Sequence, residues 1–187
     1  RNPLAPLAAE TILVQSNGMK HWLTLSLAED DALGICAATR MALPSSQLWQ
    51  IYRCVLGTDR LPMAMPLDKS PLAWRILRRL PHWLADPRFA ALAHYLGSDT
   101  GGIRAYHLAQ QLADVLDGYQ NYRSDWLDQW ALGHNSLDRG QPLTPGQAWQ
   151  ADMWRDLLSD VQAQQVTGFQ ARSEVHTSFL RELKQRR

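Results

Sequence analysis

The sequence predicts a mainly α-helical protein that carries a small α/β piece at its front. Three observations predict it. Thr11 to Gln15 (T-I-L-V-Q) is a short apolar, β-branched run of the kind that forms a buried strand. Ser16-Asn17-Gly18 breaks that strand and offers a helix N-cap, after which Met19 to Ala28 reads as a helix with Trp22, Leu23 and Leu27 along one side. From Ser45 onward, apolar residues recur almost everywhere at helical spacing.

Taken in order, Arg1 to Glu10 reads as a loop with Pro3 and Pro6, and the chain opens without an initiator Met, as part of a longer polypeptide would. The strand at Thr11 to Gln15 cannot make a sheet alone. Its neighbour is expected within Gly34 to Met41 or upstream of the chain. Leu48, Ile51, Tyr52 and Val55 then share one helix face. Thr58 to Lys69 reads as a linker with Pro62 and Pro66, and Ser70-Pro71 as the start of a helix continuing through Trp74, Ile76, Leu77 and Leu80. Further helices are expected at Pro87 to Leu96, Gly102 to Tyr122, Asp125 to Leu132, Thr144 to Gln164 and Ser173 to Lys184, with a turn-rich loop at Gly133 to Gly140. The organisation is a partial α/β domain over residues 1–57 and a helical lobe over 58–187, truncated at both chain ends.

Composition narrows the function classes. The 187 residues are 45% apolar and 20% charged, as in ordinary soluble domains. No apolar run approaches the roughly 18–20 residues of a membrane span, and Arg1 to Glu10 does not read as a signal peptide, so a cytoplasmic, membrane-free protein is expected. Cys36 and Cys54 are too few for a disulfide framework or a zinc site and read as reduced, buried thiols. The net charge of +1 announces no nucleic acid. Yet only Lys20, Lys69 and Lys184 are lysines against 16 arginines, and arginine suits planar contacts to phosphates and bases. Eight tryptophans accompany them, which fits an interface or simply a well-packed core.

Three constellations could carry chemistry. Gln15, Ser16, Asn17 and His21 surround the strand-to-helix turn, where open α/β sheets bind ligands and helix N-termini attract phosphate; a plain capping turn is the alternative. Gly18-Met19-Lys20 lacks the glycines and the Lys-Ser/Thr run of a P-loop, and no such run occurs elsewhere. In the helix from Gly102 to Tyr122, Leu108, Leu112, Val115, Leu116 and Tyr119 form the apolar stripe. The opposite side collects His107, Gln110, Gln111, Asp114, Asp117 and Asn121, with only Arg104 as a cation. Carboxylates and amides with so few cations suit the reading of base edges, although a solvated outer face has the same look. The two aspartates lack a third ligand for a metal. Third comes Tyr122-Arg123-Ser124-Asp125-Trp126: Arg123 could meet phosphate or guanine, while Trp126, Trp130, Trp149 and Trp154 have the spacing of core residues. The six histidines stand apart from partners, so no catalytic set, cofactor site or metal site is expected.

The stretch T-I-L-V-Q-S-N-G-M-K-H-W-L (Thr11 to Leu23) resembles the exodeoxyribonuclease V gamma family, the RecC type. L-P-S-S-Q-L-W (Leu43 to Trp49), A-D-V-L-D-G-Y-Q-N-Y-R-S-D-W-L-D-Q-W (Ala113 to Trp130) and Q-A-W-Q-A-D-M-W (Gln147 to Trp154) agree with it in order and spacing. The resemblance covers nearly the whole chain but only the front of a much larger subunit. It implies a degenerate helicase-like domain without nucleotide-binding motifs, followed by a helical lobe of the helicase 1B type. It also implies partnership with RecB-type and RecD-type subunits, and inspection of a 3′-ended single DNA strand for the recombination hotspot Chi. The implied reading surface comprises Gln15, Leu43, Trp49, Asp114, Asp117 and Arg123, which match the family, and Arg172 in a more weakly aligned segment. Asn17 stands where a Thr is familiar, His21 where a Gln is, and Val115 replaces a Leu, which implies an altered or less strict hotspot. The expectation is that the turn after Val14 and the polar side of the long helix converge on one tunnel for unpaired bases. A helical scaffold for the partner subunits and a small α/β enzyme are the competing classes.

Overall fold

The computed structural model describes residues 8–29, 31, 34–61, 63–97, 102–164 and 172–185, the side chains of Arg139, Arg172 and Ser173 excepted. The expected loop at Pro3 and Pro6, and Pro62, lie outside them. The chain divides into two compact units, Arg1–Gly57 and Thr58–Arg187.

In the first unit, β1 (Glu10–Leu13) pairs in parallel with β2 (Thr39–Ala42), with Leu13 opposite Ala42. The ladder runs one residue further, because Val14 N–H donates to the Ala42 carbonyl at 3.0 Å, and Val14 and Met41 are buried. Parallel strands need a crossover. Helix α1 (Asn17–Ala28) lies on that crossover, and Ser16 caps it by accepting from Met19 N–H at 3.1 Å. Leu23 and Leu27 are half-buried, but Trp22 is 64% exposed and does not share their environment. Successive residues point about 100° apart around a helix, so neighbours rarely share a face. Helix α2 (Pro44–Leu56) starts with Pro44 in its first turn and stops at Gly57, whose φ of 92° lies in the left-handed region that favours glycine. Its buried residues are Tyr52 and Leu56; Val55 is half-buried, whereas Leu48 and Ile51 are exposed.

The second unit is helical. Leu72, Ile76, Leu80 and Trp83 of α3 (Lys69–Leu84) are all buried, and the 4-4-3 spacing keeps them on one side. That side packs along α5 (Ile103–Tyr122), which contributes Leu108, Leu112 and Leu116 to the same core. Burying a side chain of this size stabilises by about 1.5–3 kcal/mol. Phe89, Leu92 and Leu96, from the turn at Pro87–Phe89 and from α4 (Ala90–Leu96), join it. Trp130 of α6 (Ser124–Ala131) and Trp154 of α7 (Ala148–Ala163) are buried there, and Trp126 and Trp149 pack against them, as their spacing predicts. The last helix, α8 (Arg172–Gln185), buries Val175.

Several expectations need correction. Helix α3 begins at Lys69 after Asp68, not at the Ser70-Pro71 step, and it runs through Pro81. The stretch before it is no loose linker. Leu61, Met65 and Leu67 are buried, Asp68 Oδ2 accepts from Met65 N–H at 2.8 Å, and the buried Gln120 donates to the Leu67 carbonyl at 2.9 Å. Helix α7 starts at Ala148 because Thr144 to Gln147 forms a separate turn, in which Gln147 Oε1 accepts from both Thr144 N–H and Oγ1. Val115 is 48% exposed and leaves the apolar stripe of α5. Cys54 is exposed and Cys36 half-buried, so neither is a core thiol. Among the described residues no helix is long and apolar enough to cross a membrane.

Candidate nucleic-acid interface

Two surfaces gather the residues singled out by sequence, one in each unit. In the first unit, the parallel register brings the carboxyl ends of β1 and β2 side by side. Gln15 follows β1 and Leu43 follows β2, so they lie at the same end of the sheet, where α1 and α2 both begin. Helix N-termini leave N–H groups and positive dipole ends there. Gln15, Asn17 and His21 are exposed, whereas Leu43 and Trp49 are half-buried. Trp49 meets Tyr52 edge-on at 5.6 Å and carries Arg53 over its ring at 5.8 Å.

In the second unit, α5 presents His107, Gln110, Gln111, Asp114, Val115 and Asn121 as exposed residues, with Asp117 half-buried. Asn121 Nδ2 donates to Asp117 Oδ2 at 3.2 Å, fixing one amide–carboxylate pair along the helix. The face does not go without cations. Lys69, at the start of α3, forms an ion pair with Asp114 that a reading of α5 alone does not see. Beside that pair, α3 and α5 enclose a cleft of about 370 Å³ lined by Lys69, Ser70, Ala73, Trp74, Tyr106, Gln110, Gln111 and Asp114. Trp74 and Tyr106 face each other there, ring centroids 5.7 Å apart and planes tilted by 45°. The sequence places Trp74, Ile76 and Leu80 on one helix without assigning Trp74 a face. A separation of two residues turns about 200° around a helix, and that signal alone would have put Trp74 on the outer side.

Arg123 is deeply engaged within the protein. It ends α5 and precedes α6, and its guanidinium bonds Asp125 at 3.2 Å, pairs with Asp138 and lies 3.7 Å above the Trp126 ring. The arginines of α3 are engaged as well. Arg79 binds Asp156 of α7 through two hydrogen bonds of 2.6 and 2.8 Å, and Arg75 and Arg78 each reach Asp160 at 2.7 Å. The hydrogen bonds that Arg79 donates to Asp156 hold its guanidinium above its ordinary pKa. These arginines lock α3 to α7, so the arginine-rich composition partly reflects internal clamps. Arg172 opens α8, and its side chain lies outside the described residues. Among the described residues, no group of three or more His, Cys, Asp or Glu side chains is arranged to hold a metal ion.

A family profile described as RecC, N-terminal domain, matches residues 1–187. The RecBCD enzyme subunit RecC of Escherichia coli (strain K12) is 37% identical over 153 residues, 82% of this chain and 13% of that protein. Its counterpart from Haemophilus influenzae (strain ATCC 51907 / DSM 11121 / KW20 / Rd) is 31% identical over 194 aligned positions, 95% of this chain and 17% of that protein. The chain thus spans less than a fifth of the length of either relative.

Proposed function

The chain belongs to the RecC N-terminal domain family, and from that premise we propose that it is a non-catalytic, DNA-contacting part of a RecBCD-type helicase–nuclease that acts in double-strand-break repair in the cytoplasm. In this reading the first unit is a helicase-like piece without a nucleotide site, the second is its helical lobe, and RecB-type and RecD-type subunits are the partners. The chain meets the 3′-ended single strand and takes part in recognising the hotspot Chi. The observation that carries the reading is the α5 face, where Asp114 and Asp117 stand with exposed amides next to a cleft. Carboxylates accept from the cytosine amino group and amides pair with adenine, each good contact giving about 1–3 kcal/mol of discrimination.

The test is hotspot-dependent attenuation of the nuclease in the reconstituted three-subunit complex. Asp114→Ala and Asp117→Ala are expected to weaken that response by about tenfold, from the value of such contacts, with assembly and unwinding intact. A panel of octamers presented to the unaltered complex tests the second part of the reading. Asn17 and His21 are expected to shift or relax the preferred sequence, and a preference identical to the familiar one would reject that. The exposed Ile103, Tyr122 and Leu132 favour a second reading, a scaffold for partner subunits. An unchanged hotspot response in the Asp114 and Asp117 variants would select it.

A further inference from the structure

We infer that the cleft between α3 and α5 is a pocket for one unpaired nucleobase, stacked on Trp74 and read by Asp114 and the amides of Gln110 and Gln111. This rests on the reading above, that the α5 face meets single-stranded DNA, and adds the pocket, its stacking platform and its counter-ion. Trp74 is 62% exposed, on the side of α3 away from Leu72, Ile76 and Leu80, so the core does not require an indole there. Tyr106 stands against it at 5.7 Å, and its hydroxyl accepts from Gln110 Nε2 at 2.8 Å, which holds the phenol ring and the amide in one arrangement. An exposed aromatic pair beside amides and a carboxylate combines a π-face with hydrogen-bonding edges, the two elements that bind an unstacked base. The cleft of about 370 Å³ falls within the range of small-ligand pockets.

Lys69 explains how a carboxylate can work here against a polyanion. Its ammonium pairs with Asp114 while both side chains remain more than half exposed. An exposed pair of this kind is weak and exchanges partners readily. A strand entering the cleft offers a phosphate to Lys69 and an exocyclic amino group to Asp114, so each partner of the pair gains a new one. The pocket therefore favours bases that present an exocyclic amino donor, cytosine, adenine and guanine, over thymine.

The experiment uses the reconstituted complex on forked DNA carrying 5-iododeoxycytidine, which keeps the amino group that Asp114 would read, at single positions of the 3′-ended strand, irradiated and then mapped by peptide mass spectrometry. Iodopyrimidine joins the aromatic ring on which it stacks, so crosslinks on Trp74 or Tyr106 are expected at a discrete set of positions. Trp74→Ala is expected to reduce the Tyr106 crosslink about tenfold and Trp74→Phe to retain most of it, because a second ring preserves the platform. Crosslinks on this chain confined to residues outside the cleft would overturn the pocket and leave the DNA-contacting reading standing. Equal yields from the Trp74→Ala and unaltered complexes would also overturn it. No crosslink anywhere on the chain would sink both.

Discussion

Arg123 stacks on Trp126 and bonds two carboxylates, Asp125 and Asp138, at the α5–α6 junction. A side chain so engaged positions the junction before it can touch DNA. Losing a half-buried cation–π contact and weak ion pairs costs about 1–2 kcal/mol, so Arg123→Ala is expected to lower stability by that amount in urea denaturation, with partial recovery in Arg123→Lys. A variant that lost hotspot response with unchanged stability would make Arg123 a direct DNA contact instead. Tyr52 supplies a second test at this scale. Its burial pushes the phenol pKa above the ordinary 10.0, so the folded state favours the neutral form. The associated stability is fully present below the ordinary value and is lost as pH rises through the raised one. As pH rises above about 10, the urea midpoint of the unaltered chain is expected to fall more steeply than that of Tyr52→Phe; parallel curves would show that Tyr52 is not linked to folding.

Among the elements, the clamp between α3 and α7 has the clearest energetic content. Asp156 takes two hydrogen bonds from Arg79 and one of 2.7 Å from the indole N–H of the buried Trp83. Asp156→Ala is expected to destabilise by about 2–4 kcal/mol, because it strands a partly buried guanidinium and an indole donor. Thermal and urea unfolding would measure it, and a change under 0.5 kcal/mol would contradict the clamp, being the scale of an ordinary surface substitution. This clamp was not legible in the sequence, because Arg79 and Asp156 lie 77 positions apart. What could be read was local. The Ser16 cap follows from a short polar side chain at the end of an apolar run, and the core side of α5 from Leu108, Leu112 and Leu116. The start of α3 was misread because Pro71 tolerates several first-turn positions, and Asp68 starts the helix by its backbone, accepting from Leu72 N–H at 2.9 Å. The candidate site divides the same way. Asp114 and Asp117 could be read from periodicity, but their cation Lys69 and the neighbouring Trp74 come from α3, a relation that only tertiary packing supplies.

For the whole molecule, the two units differ in how much they bury. Among the described residues the first holds two strands and an α1 without a single buried residue, whereas the second holds the large helical core. Two strands alone are marginal, so amides of residues 10–56 are expected to exchange with deuterium faster than those of 69–163; the reverse order would contradict this account of where stability resides. Charge acts at this scale too. At a net +1, with many arginines already paired, the isolated chain is expected to bind a single strand more weakly than micromolar at physiological salt and to release it steeply as salt rises. Sub-micromolar binding would mean that the arginine clamps open to reach phosphates. The central claim is that this chain handles unpaired bases through the end of its small sheet and the polar side of α5. Its most direct test is a structure of the complete three-subunit complex on forked DNA. The account predicts a single strand within hydrogen-bond reach of Asp114 on α5; a strand routed away from that face would contradict it.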